Sequence, residues 1–280
     1  MISAIANLLG KIIRLIYNAT DQNYFISIIV FTILTRLILV PLYIKQMKSN
    51  KELNEIGPLA QKIQEKYKND KNKQAEEMTK LYAEHKVNPV AGCLPALIQI
   101  PLVLAMFYIV KQPLTYVINM QPSDVKSYTA TYLEKENVED VTDNEIKANE
   151  ILIANEYNLI DMDVGGVINL GYAPSSVFSK DTAKRSNPVA LVVPLLSIVI
   201  SVISMKISQK NSNMSEEQKE MQKSMNLMMP LLSASISYSM PLALGIYWLI
   251  GSLFSLIQQI ITNKMFRKNE ETLKLNKGGK

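Results

Sequence analysis

Arg36 is the residue in this sequence with the fewest chemical options. It is the thirteenth of 21 residues in the run 24–44, and every other residue of that run is uncharged. At helical rise it lies about 12 Å from one end of the run and about 18 Å from the other. A central arginine in hydrocarbon costs about 2.5–3.5 kcal/mol on insertion scales. Such residues usually pair with an acid, yet the other long apolar runs contain no Asp or Glu. Snorkelling to the nearer surface is beyond the reach of the side chain. Water is the remaining partner, so Arg36 is expected to face a hydrated cavity. The alternative is that it caps carbonyls at a helix break, or sits shallower than the count implies.

Polar residues that would line such a cavity are Thr32 and Thr35, within a turn of Arg36, together with Gln99, Ser201 and Ser204 in other runs. Gln99 is the most demanding of these, because an amide in hydrocarbon must find partners. Pro95 and Pro101 bracket it and free further carbonyls. Ser and Thr carry less weight, since they commonly bond back to their own helix. A basic, wet groove without acids cannot relay protons through carboxylates, and the chain has no repeated halves for alternating access. It can attract a carboxylate on an entering polypeptide and shelter its polar part halfway across a bilayer.

Other chemistry is excluded by the inventory. One Cys (Cys93) and one His (His85) rule out a disulfide framework and a His/Cys zinc cluster. Cys93, beside Gly92 and near Pro95, is expected to be an inert small hydrophobe. No phosphate-binding Gly-rich loop, HExxH or GxSxG occurs. No catalytic residue, metal, cofactor or DNA partner is therefore expected, and the chain is not read as an enzyme.

The elements that must hold Arg36 in place follow from where the apolar residues fall. Hydrophobic residues make up 48% of 280, charged residues only 20%, and mean hydropathy is +0.07. They are bunched into uncharged runs at 89–110, 189–205 and 225–262, besides 24–44. The last would be about 57 Å long as one helix, too long for a bilayer. Pro241 falls where a break is needed, giving a hairpin of 225–240 and 242–262 and five spans in all. The connectors 45–87 (10 Lys, 7 acids), 206–223 (4 Lys, 3 acids) and 263–280 (6 Lys/Arg, 2 acids) are basic, whereas 119–188 carries 6 Lys/Arg against 12 acids. The positive-inside rule puts the first three in the cytoplasm and the fourth outside, with the N-terminus outside and the C-terminal tail inside.

Three connecting regions have their own patterns. Residues 1–20 place Asn7, Lys11, Arg14 and Asn18 on one stripe and Ile5, Leu8, Leu9, Ile12, Ile13 and Ile16 opposite, which predicts an amphipathic helix in the outer interface. A signal peptide is the rival, but its positive charge would precede the apolar run. In 45–87, Ile56, Leu59, Ile63 and Tyr67, then Met78, Leu81 and Tyr82, flank the polar turn 68–73 and predict an αα-hairpin, with Gly57-Pro58 restarting its first helix. It reads either as a solvated linker or as a basic docking arm for anionic lipid headgroups or a ribosome-bearing partner. The acidic connector 119–188 reads as a partly disordered surface loop with a short helix within 134–157.

Three long motifs resemble the YidC/Oxa/Alb membrane protein insertases. FTILTRLILVPLYIKQMKS (31–49) is similar to their arginine-bearing first core span. GPLAQKIQEKYKNDKNKQAEEMTKLYAEHKVNPVAGCLPALIQIPLVLAMFY (57–108) resembles their cytoplasmic hairpin and second span, and MPLALGIYWLIGSLFSLIQQ (240–259) their last span. The likeness covers nearly everything outside 119–165. It implies an all-α polytopic membrane protein with five transmembrane helices, a cytoplasmic helical hairpin and an N-terminal interfacial helix. It further implies a hydrophilic groove open to cytoplasm and lipid but closed outside, with Arg36 attracting substrate and Tyr247 and Trp248 contacting nascent segments. Aromatic anchoring at the interface is the other reading of those two. Implied partners are nascent membrane proteins with acidic translocated tails, the Sec translocon, the ribosome and the signal-recognition-particle pathway, in a bacterial plasma membrane. An anion channel, or a tether that recruits ribosomes, are the competing functions. Two departures stand out: Ser201 and Ser204 occupy positions where many relatives have Thr and Gln, and the outer loop is longer than in short relatives. The large outer domain of Gram-negative members is absent, which suits a Gram-positive-type core.

Overall fold

The computed structural model describes residues 2–88, 94–135, 142–181, 185–210, 228 and 230–278. The expected start of the second span at 89–93, Cys93, and the stretch 211–227 lie outside them. Within the described residues the chain is mostly helical: α1 Ile2–Ala19, α2 Tyr24–Glu55, α3 Gly57–Lys66, α4 Lys71–Glu84, α5 Leu94–Lys111, α6 Pro113–Tyr116, α7 Pro122–Lys135, α8 Asp143–Glu156, α9 Val192–Lys210, α10 (230–239) and α11 Leu242–Gly278. Helices within Tyr24–Glu55, Pro188–Ser208 and Leu242–Phe266 are long and apolar enough to cross a membrane, and Gln99–Lys111 is a shorter apolar one.

Apolar side chains face outward on several helices at once. Leu37 and Ile38 on α2, Leu195 and Val199 on α9, Leu231 on α10 and Ile257 and Ile261 on α11 are all exposed. Serines and threonines, including Thr32, Ser197, Ser237 and Thr262, are meanwhile buried. Surfaces of that kind belong in lipid.

Pairwise contacts fix the helix directions. Ser201 Oγ donates to Ser233 Oγ at 3.0 Å, and Ser237 Oγ to Ser197 Oγ at 3.1 Å. Four residues forward on α9 is four back on α10, so the two are antiparallel. Arg36 lies against Gly251, and Lys51 Nζ stands 5.6 Å from the Phe266 ring centroid. Fifteen residues separate the partners on both helices, so α2 and α11 are parallel. α11 packs most extensively on α9 and α2. The chain reverses between α10 and α11 at Met240-Pro241, where the proline lacks the N–H that would continue a helix.

α2 is longer than the apolar run that starts it, and continues without interruption to Glu55 despite Pro41. It stops at Ile56, and Gly57-Pro58 opens α3. A proline in the first turn removes an N–H that has no helical partner in any case. α3 and α4 pair through buried Ile56, Ala60, Leu81 and Val87, with Ile63, Met78 and Tyr82 against them. One expected member is misplaced: Leu59 is 41% exposed, and Ala60 takes the inward position. The inner stripe runs Ile56, Ala60, Ile63, at i, i+4 and i+7, which leaves Leu59 at its edge.

α1 is more than an interfacial plank. Ala6, Ile13 and Tyr17 are buried in the main core, against α5 and α2. Gly10 lets Tyr116 approach so closely that an added Cβ would lie 3.1 Å from its ring and 3.3 Å from its carbonyl oxygen. The turn into α2 holds Asp21 and Gln22 at φ of 49° and 58°, and Asn23 caps α2 by accepting from Ile26 N–H at 2.9 Å.

The acidic connector holds the short helix expected within 134–157, as α8, but its described residues pack as part of the core where a surface loop was expected. It carries α7, α8 and a two-stranded hairpin (β1 Asp163–Val164, β2 Ile168–Asn169), and buries Val125, Leu133, Ile153, Ile160, Met162 and Leu170 in the core shared with the long helices. Thr142 and Glu145 form a capping box on α8. Glu150, 1% exposed, accepts from Thr115 N–H at 2.9 Å and Thr115 Oγ at 2.8 Å, tying α8 to the start of α6. Burial pushes its carboxyl up to about 7, against the hydrogen bonds from Thr115. Leu242 and Ala243 N–H groups donate to the carbonyls of Tyr172 and Leu170 at 2.9 and 3.0 Å, so this connector satisfies the otherwise orphaned first turn of α11.

Candidate functional site

Arg36 is half-buried on α2 with its head turned toward α5 and α11. Its Nη1 donates to Gln99 Oε1 at 3.0 Å, and its Nε is buried without a partner. Among the described residues no carboxylate lies within ion-pair distance of it. The expected juxtaposition of Arg36 and Gln99 is therefore direct contact, across 63 residues of sequence. A neutral amide satisfies one donor and leaves the positive charge uncompensated.

Tyr247 completes this layer. It is fully buried, and its hydroxyl lies near Gln99 and in the field of Arg36, short of a well-formed hydrogen bond. Trp248, next along α11, is half-buried, and its indole N–H is also buried and unpartnered. Two turns further along α11 from Gly251, the amide nitrogen of Gln258 shares that condition. The unmatched polar groups in and below this layer, Arg36 Nε, the Tyr247 hydroxyl, Trp248 Nε1 and Gln258 Nε2, can all donate to carbonyl or carboxylate oxygens.

The remaining expected residues are placed differently. Thr32 Oγ donates to Ile28 O at 2.6 Å, and Thr35 Oγ to Phe31 O at 3.0 Å and Thr32 O at 2.9 Å. Both hydroxyl protons stay within α2, and both residues are buried. Ser201 and Ser204 bond Ser233 and Gln259 (3.1 Å) instead, tying α9 to α10 and α11. These serines are interhelical fasteners in this structure, and their hydrogen bonds go to α10 and α11 and not to Arg36. Gly251 was missed by the sequence reading: an isolated glycine in an apolar helix carries no signal of which side chain will rest on it. The Ser197–Ser237 pair was missed too, since only the helix directions reveal it.

A family model described as 60Kd inner membrane protein matches residues 15–270. A Fusobacterium nucleatum protein named membrane protein insertase YidC is 46% identical over 112 residues, covering 39% of this chain and 55% of that one. A Clostridium perfringens protein of the same name is 51% identical over 87 residues, 31% and 37% of the two chains. Membrane protein insertase YidC 2 of Listeria innocua is 27% identical over 253 residues, 89% of this chain and 67% of that one. The aligned part spans about half the length of the first two relatives or less. Together with the lipid-suited helices, these likenesses make the chain an integral protein of the cell membrane.

Proposed function

Because this chain belongs to the 60Kd inner membrane protein family, we propose that it is a membrane protein insertase, in which Arg36 draws the polar flank of a nascent segment into a groove among α2, α5 and α11. The observation that carries this reading is the Arg36 head: held by a neutral amide at 3.0 Å, without a carboxylate, and half-exposed. A charge so placed attracts a substrate carboxylate from solvent strongly, because the surrounding medium screens it less than water does. Sheltering the polar tail lowers its barrier to crossing, and partition of the apolar segment into lipid drives the process without a nucleotide.

In this reading the spans are α2, α5, α9, α10 and α11, with the N-terminus outside and α3–α4 and the end of α11 in the cytoplasm. The parallel α2 and α11 and the antiparallel α9 and α10 support that topology. So does the packing of the acidic connector onto the N-terminal end of α11, which would close the groove on the outer side. Tyr247 and Trp248, with unmet donors on α11, are assigned to contact with the segment. The lysine-rich α3–α4 pair and the basic tail are assigned to anionic lipid and to the ribosome, signal-recognition-particle or Sec machinery that delivers clients.

The test is insertion of a single-span protein with an acidic tail into vesicles containing only the purified chain. Arg36→Ala is expected to cripple insertion while leaving protein levels and folding unchanged, and Arg36→Lys to retain it, because the demand is for charge more than fork geometry. Equal insertion by Arg36→Ala would refute the electrostatic reading. A pure tether would not respond to either substitution.

A further inference from the structure

The three heavy atoms nearest to a Cβ built on Gly251 all belong to one side chain: Arg36 Nη2 at 2.6 Å, Nε at 3.1 Å and Cζ at 3.2 Å. No backbone atom and no apolar side chain is among them. Gly245, on the same helix, differs: its Cβ would meet Val193 Cγ1 at 3.3 Å and the backbone of Ser237, the pattern of a glycine that lets helices pack. Gly251 instead offers a bare patch of helix on which the planar guanidinium lies.

We infer that Gly251 is a positioning residue, a seat that fixes how deep the Arg36 charge sits in the groove; the inference rests on the function proposed above. Two contacts define the head. Gln99 holds Nη1 by a hydrogen bond, and the Gly251 surface receives the Nη2–Nε edge. The equal spacing of Arg36–Gly251 and Lys51–Phe266 along parallel helices shows that the seat lies at the arginine's own level, set by helix register. A glycine in a helix interior is less stable than alanine, so its presence here is not explained by helix formation. An alanine methyl would need the nearest guanidinium nitrogen to retreat by about 1 Å to reach ordinary contact. The far end of a flexible arginine can make that move, so the fold is retained while the charge is displaced and its bond to Gln99 is broken.

The experiment compares the full-length chain with Gly251→Ala, Arg36→Ala, Arg36→Lys and the Gly251→Ala/Arg36→Lys double variant, in vesicles, with the acidic-tailed single-span client. Gly251→Ala is expected to have thermal stability at or above wild type and an insertion rate between wild type and Arg36→Ala. Lysine has no planar head to occupy the seat, so the double variant is expected to match Arg36→Lys alone. Wild-type insertion by Gly251→Ala overturns the inference. So does a double variant that falls below Arg36→Lys by the same factor that Gly251→Ala falls below wild type, because that is the behaviour of a packing glycine. If Arg36→Ala itself inserts at the wild-type rate, the proposed function fails and the seat with it.

Discussion

Glu150 makes the α6–α8 layer of this protein sensitive to pH in a direction opposite to that of most carboxylates. Its carboxyl is buried and raised from 4.5 to about 7, chiefly by loss of solvent, with Thr115 N–H and Oγ opposing the rise. A group whose pKa is higher in the folded state contributes stability that is fully present below its unfolded value and is lost as pH climbs through the folded one. The window is therefore pH 4.5 to 7. At about 1.4 kcal/mol per pH unit, ionisation inside the fold withdraws about 3 kcal/mol across it. The local unit at risk is α8 with α6, since Glu150 is the polar tie between them. Glu150→Gln removes the titration and keeps the contacts: its oxygen accepts from Thr115 N–H, and its amide donates to Thr115 Oγ. The assay is hydrogen exchange of α6–α8 in micelles between pH 4.5 and 8, corrected for intrinsic exchange, with wild type and Glu150→Gln side by side. The wild-type opening free energy is expected to fall by about 3 kcal/mol over the window while the variant stays level. Parallel profiles, or a wild-type layer that tightens as pH rises, would refute the reasoning.

Two further substitutions probe packing. Gly10→Leu drives a side chain into Tyr116 and is expected to destabilise the α1 docking by about 1–3 kcal/mol, read as a lower unfolding temperature in micelles. The Ser197–Ser237 bond between α9 and α10 is expected to show a coupling of about 0.6 kcal/mol in a double-mutant cycle with alanine, against zero if the 3.1 Å contact is incidental.

Long uncharged runs are legible because a bilayer demands about twenty apolar residues in a row, and the helices at Tyr24, Val192 and Leu242 begin close to where those runs do. Arg36 announced itself by the same arithmetic, and Gln99 by the difficulty of leaving an amide unpaired; both needs are properties of single residues. The break at Pro241 and the restart at Gly57-Pro58 were likewise visible, because proline acts on its own backbone.

Everything that depends on which faces meet was hidden. Thr32 and Ser201 are equivalent as polar residues in apolar runs, yet one bonds back within its helix and the other crosses to Ser233. Apart from the short helix within 134–157, the acidic connector read as a surface loop because its composition is polar. Its few apolar residues become a core only when the long helices supply the other half, so no pattern within 119–188 could reveal it. Gly251 is the clearest case. The sequence by itself determined that a charge falls within a long apolar run and needs a polar neighbour. Only the tertiary structure decided that Gln99 would be that neighbour and that a glycine on a helix 215 residues away would carry the guanidinium, because contact across a helix pair is set by register and approach distance, which no local preference encodes.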